Sequence, residues 1–238
     1  IAMLDFILCA EADPETCAQL GVGLRRGAEL AGVEIPGGEL AQVGEIVSGW
    51  ELGGTAVGLV DLDSIVTGER IEVGDPVIGL PSTGLHSNGY TLARAALADL
   101  ELGEDPDGRL GRPLGDVLLE PTEIYVGAIT ELLGSPVDVR GLAHITGDGL
   151  DNLLRLEAPV GYEIDDPLPV PPVFELIGEL GDVDEEEMYA VFNMGCGFCC
   201  VVAAADEAAA LELLRRRHPG AARIGRSTGR PGEVTRSR

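Results

Sequence analysis

The apolar residues of this chain fall in short runs that stop at glycine or at charge: IAMLDFIL at the front, GGTAVGLVDL from Gly53, PVIGL from Pro76, VDVRGLAHIT from Val137 and GFCCVVAAA from Gly197. Runs of this length between turn formers read as strands, several of them buried on both faces. None approaches the roughly eighteen apolar residues of a membrane span. Between the runs, apolar residues recur at spacings of three and four. Asp13 and Pro14 open one such stretch as N-cap and first helical residue, Cys17, Leu20, Leu24, Ala28 and Ala31 form its inner face, and Gly32 closes it. Further helices are expected over 91–100, from Pro121 to Leu133, over DNLLRL, over 173–180 and from Asp206 to His218.

Strands alternating with helices give an α/β (α+β) fold with mixed sheets packed against helices. A looser polar link with Gly68 and Gly74 separates residues 1–65 from a second domain over 66–228. MYAVFNMG reads as a loop, a proline-rich link precedes it, and the last residues, IGRSTGRPGEVTRSR, lack an apolar pattern, so 229–238 is expected to be a flexible tail.

Acidic residues number 41 against 16 basic ones, a formal charge of −25, and every basic residue is arginine. Such a surface repels phosphate backbones and argues against nucleic acid as a partner. The excess is spread along the chain, as on a solvated surface adapted to high salt or in a protein from a GC-rich genome. Five cysteines, an odd number, argue for reduced thiols. On a strand Cys196 and Cys199 of CGFCC would point to opposite faces, and no second ligand pair completes a zinc set, so these are expected to be core residues. The first residues show no signal-peptide order, and the cytoplasm is the expected compartment.

Two of the 3 histidines sit on similar corners. In LPSTGLHSNGYTLAR a strand ends, a loop of small residues follows and a helix begins, so that backbone N–H groups, Ser87, Asn88 and Gly89 could meet an anion and His86 could donate a hydrogen bond or move a proton. GLAHITGDGL repeats the arrangement with His144, Thr146 and Gly147. Asp148 opposes it, because a carboxylate in a phosphate nest is repulsive unless a cation lies between them. Gly37-Gly38-Glu39 reads as a tight turn presenting one carboxylate suited to Mg²⁺. Asn193-Met194-Gly195 could contact a ligand or only turn the chain. No lysine-bearing phosphate loop is possible without lysine.

Taken in order, VEIPGGELA, LPSTGLHSNGYTLAR, LEPTEIYV, GLAHITGDGLDNL and EEMYAVFNMGCGF resemble the phosphoribosylformylglycinamidine cyclo-ligase (aminoimidazole ribonucleotide synthetase) family, from Leu4 to about Ile224. The resemblance implies a two-domain enzyme of purine biosynthesis that dimerises through sheets of its first domain and uses ATP and Mg²⁺ to close an imidazole ring on a phosphoribosyl substrate. It implies His86 as catalytic, Ser87, Asn88, Gly89, His144, Thr146 and Gly147 as substrate-binding, and Gly37, Gly38 and Glu39 as the nucleotide side, with Glu39 on the metal. Asp148 stands where the family has glycine and Leu40 where it has threonine. The family's leading glycine-rich, aspartate-bearing segment is not in this sequence, so the chain by itself is expected not to turn over. The alternatives are a catalytically silent ribonucleotide-binding paralogue and a related ATP-dependent kinase or synthetase.

Overall fold

The computed structural model describes residues 1–236. It forms two compact units, Ile1–Ile65 with Ile124–Gly127, and Val66–Glu123 with the chain from Ala128 onward.

The first unit holds β1 (Ala2–Cys9), α1 (Pro14–Ala31), β2 (Glu34–Gln42) and β3 (Trp50–Val57). Asp13 caps α1 by accepting from the Thr16 N–H at 2.8 Å, and Gly32 ends the helix in the left-handed region. The sheet order is β2-β1-β3, with β1 parallel to β2 and antiparallel to β3. Gly37, Gly38 and Glu39 therefore lie within a paired strand, which corrects the expected turn: Gly38 is opposite Asp5 and Glu39 opposite Phe6. A Cβ at position 38 would come within 2.2 Å of the Asp5 carboxylate, so glycine makes room for that side chain. β3 starts earlier than the sequence suggests, at Trp50.

The second unit is built on β4 (Pro76–Pro81), α2 (Tyr90–Ala96), α3 (Leu114–Leu118), α4 (Val126–Leu133, which starts in the first unit's segment), β5 (Val139–His144), β6 (Gly161–Ile164), α5 (Pro172–Gly181), α6 (Glu185–Val191), β7 (Cys196–Val202), α7 (Glu207–Arg215), β8 (Ala222–Thr228) and β9 (Val234–Arg236). Its sheet runs β5-β7-β4-β8-β6-β9. The central strands are closed to water: Val77, Ile78, Leu80, Cys199, Cys200, Val201 and Val202 are all buried. One core packs Ile145, Leu150 and Leu153 with the sheet residues Val77, Tyr162, Ile164 and Val201. A second gathers Leu85, Ala93, Leu114, Phe174, Ile177, Met188 and Phe192, with the Phe174 and Phe192 rings 5.5 Å apart.

Several sequence expectations change here. Residues 149–155 form a 3-10 helix rather than an α-helix. The proline-rich link contains β6, MYAVF belongs largely to α6, the stretch from Ile224 that shows no apolar pattern begins inside β8, and the expected tail contributes β9 to the sheet. The last two residues of that tail lie outside the described ones. Cys196 and Cys199 share a face, with their sulfurs 3.6 Å apart. The reason is a bulge: Leu80 pairs with Phe198 but Pro81 with Cys196, and the extra residue on β7 turns Cys196 over. All five thiols are free, and those of Cys9, Cys196, Cys199 and Cys200 are buried.

Candidate functional site

Strand direction brings the two histidine corners together. β4 and β5 each pair antiparallel with β7, so they are parallel to each other and finish at the same end of the sheet. Pro81 lies opposite Cys196 and His144 opposite Phe198, which puts both exits beside the start of β7, about 10 Å apart across the intervening strand. The loop that leads into β7, Asn193-Met194-Gly195, lies between them.

Asn193 fastens that loop to the first corner. Its side chain is buried and makes three bonds: Oδ1 accepts from Ser82 Oγ at 2.8 Å and from the Gly195 N–H at 2.9 Å, and Nδ2 donates to the Gly84 carbonyl at 2.8 Å. Gly89, with φ +78°, faces Phe192, whose ring would lie 2.1 Å from a Cβ there. The second corner is held from the same side, since the Asp148 N–H donates to the Ala190 carbonyl at 2.9 Å and a Cβ on Gly149 would come within 2.0 Å of the Tyr189 carbonyl. Sequence reasoning named Asn193 without deciding its part; the hydrogen bonds make it a brace.

His86 is 6% exposed, with φ +59°. Its Nε2 accepts from the Thr83 N–H at 3.1 Å and, more weakly, from the Glu123 N–H at 3.4 Å, so the neutral ring carries its proton on Nδ1. Burial, and then the charge of His144, push its pKa down to about 4. At neutral pH it is an uncharged ring whose Nε2 is engaged by backbone N–H groups of Thr83 and Glu123. Ser87 is exposed, with Oγ 3.1 Å from Thr122 Oγ1, and Asn88 is half-buried.

The second corner lines an open cleft of about 390 Å³, with His144, Thr146, Asn152 and Arg155 above an apolar floor of Leu142, Ala143 and Leu156. His144 stacks on Phe198 with centroids 6.1 Å apart, and desolvation lowers its pKa, so it too is neutral near pH 7. Asn152, 2% exposed, organises the loop: Oδ1 accepts from the Thr146 N–H at 2.9 Å and from Thr146 Oγ1 at 3.0 Å, and Nδ2 donates to the Gly147 carbonyl at 2.7 Å. Asn152 and Arg155 were missed in the sequence, where they look like polar positions of a helix. His86, Ser87 and Asn88 share the sheet end with this cleft but not its lining.

Gly37, Gly38 and Glu39 belong to the first unit and are described with it. By the pleat, Asp5 shares a face with Gly38, and Glu39 points to the other. The two carboxylates do not converge, and among the described residues no group of three or more His, Cys, Asp or Glu could hold a metal ion. Glu39 therefore offers Mg²⁺ one carboxylate, and that ion takes one or two together with phosphate oxygens and water.

The sequence profile of the AIR synthase related protein, C-terminal domain, matches residues 72–237. Proteins named phosphoribosylformylglycinamidine cyclo-ligase are 50% identical over 98% of this chain in Methanothermobacter thermautotrophicus and 45% identical over 98% in Pyrococcus furiosus. The chain belongs to this family. It spans 68% of the length of both relatives. In solved structures the fold is like that of the hydrogenase maturation protein HypE of E. coli, at 19% identity and a TM-score of 0.71 over 100% of this chain and 70% of that one. A HypE crystallised in complex with ATP gives a TM-score of 0.72 at 18% identity, over 99% of this chain and 69% of that one. Among the described residues no helix is long and apolar enough to cross a membrane.

Proposed function

We propose that this chain serves the ATP-dependent closure of formylglycinamidine ribonucleotide to aminoimidazole ribonucleotide, in the cytoplasm. The supporting observation is the identity to relatives named as cyclo-ligases, 50% and 45% over 98% of this chain. In this reading ATP transfers a phosphoryl group to the formamide oxygen, the neighbouring nitrogen attacks that carbon, the C–O bond breaks and inorganic phosphate leaves. An amide oxygen departs poorly until it is phosphorylated, so the protein chiefly orients two anionic reactants and stabilises developing charge.

Each side chain then has a task that its surroundings allow. His144, the imidazole on the cleft, takes the polarising and proton-moving part, and Thr146 is held to face the substrate by Asn152. His86 shapes the first loop so that Ser87, Asn88 and Gly89 can meet the substrate. Gly37, Gly38 and Glu39 stand for the nucleotide side, and no step is assigned to a metal.

The test is a ring-closure assay on the full-length protein that contains this chain. Wild type is expected to form aminoimidazole ribonucleotide and release phosphate, and His144→Ala to lose about 100-fold in kcat with unchanged unfolding. An unaffected rate in His144→Ala removes that role. Phosphate release without ring closure favours the kinase or synthetase alternative, and substrate binding without either favours the silent paralogue.

A further inference from the structure

The one residue of full charge on the cleft is already occupied. Among the lining residues Arg155 alone is charged at neutral pH, and its Nη2 donates to Asp148 Oδ2 at 2.7 Å. Both side chains are open to water, 63% and 69% exposed. An ion pair this exposed is weak and exchanges readily. Asp148 is not there to shape the backbone cheaply: its φ of +72° is a conformation that glycine adopts at less cost. What it adds is a carboxylate at the edge of a cleft lined by Thr146, Asn152 and His144.

We infer that Arg155 is a phosphate-monoester contact of this cleft and that the Asp148 carboxylate is an internal competitor, which the ligand's phosphate must displace from the guanidinium. A phosphate oxygen and a carboxylate oxygen present the same acceptor to the arginine fork. In a chain of formal charge −25 the cleft has little other cationic attraction to offer, so the competitor sets how strongly an anion is held. The inference rests on reading this cleft as the place of a phosphorylated substrate or of released phosphate, yet it concerns binding alone and does not need ring closure.

Calorimetric titration of the whole chain with ribose 5-phosphate, and separately with inorganic phosphate, tests it at low and at high salt. Asp148→Asn keeps a residue that tolerates the left-handed conformation and removes the charge; it is expected to bind at least one probe three- to ten-fold more tightly than wild type at low salt. Arg155→Gln should weaken the same probe tenfold or more. In the double variant Asp148→Asn should have no further effect, because the group it competes for is gone. Tighter binding of ribose 5-phosphate assigns the contact to the ester, and tighter binding of inorganic phosphate to the leaving product. Equal affinities in wild type and Asp148→Asn, a full gain from Asp148→Asn in the Arg155→Gln background, or no binding in any variant overturns the inference. A protein that shows this binding pattern but never closes the ring would overturn the proposed function and leave the inference standing.

Discussion

The environment of His86 converts into a measurable acid sensitivity. In the fold its pKa is pushed down to about 4, by burial first and His144 second, whereas an unfolded chain holds a histidine near 6.5. Above about pH 6.5 the ring is neutral in both states, and the fold keeps its full advantage. As pH falls toward 4 the unfolded chain takes up the proton first, so stability drops across that window, by about 3 kcal/mol at most. Carboxylates titrate in part of the same range, and the comparison must therefore be with a variant. The stability difference between wild type and His86→Asn, measured by denaturant unfolding at pH 7 and at pH 4, is expected to shrink by most of that amount. A difference that stays constant with pH would show that the ring is not the proton acceptor. The sequence made His86 visible as an unusual residue in a loop, but not its orientation, because Nε2 is satisfied by Thr83 and Glu123, and only folding brings the latter near.

At the scale of elements, the contact of Gly89 with Phe192 couples the first corner to the segment before β7. Gly89→Ala places a Cβ within 2.1 Å of the ring at a φ of +78°, combining left-handed strain with overpacking. A loss of about 2–4 kcal/mol is expected in chemical unfolding. In Gly89→Ala/Phe192→Ala the steric part is relieved, so the double variant should be more stable than the sum of the two single losses predicts. Strict additivity would mean that the ring moves aside freely and that the two loops are not coupled. Where the strands were legible, they had apolar side chains on both faces, as β4 and β7 do. β8 was hidden because Arg223 and Arg226 project outward to Asp165 and Glu163, while one of its buried positions is Ser227, whose N–H donates to the Asp75 carbonyl at 2.8 Å. Charge and a serine erased the alternation that marks a strand. In β2 a proline and two glycines lower strand propensity, and pairing with β1 overrides it. α6 has Asp184 accepting from the Glu187 N–H at 2.8 Å as a cap, but one buried residue, Met188, is too little to show a period.

For the whole molecule, charge and the first unit's sheet bear on whether copies associate. Leu4 and Phe6, both 44% exposed, and Val57, 45% exposed, lie on one face of β1 and β3 by the pairing of Ala2 with Val57 and Phe6 with Gly53. We propose that this stripe forms part of a homodimer contact, as the family resemblance implies. Two copies carry −25 each, so their approach is opposed by repulsion that salt screens, with a Debye length of about 10 Å at 0.1 M and about 3 Å at 1 M. Apolar contact is not weakened by that screening, and salts excluded from protein surfaces strengthen it. Association should therefore tighten with salt, the reverse of an interface held by ion pairs. Sedimentation velocity is expected to show more dimer in 1 M than in 0.1 M salt, and Phe6→Glu to remain monomeric in both. A chain that is monomeric throughout removes the contact, and a dimer that dissociates as salt rises would place the stabilising interactions in charge pairs instead of the Leu4, Phe6 and Val57 stripe.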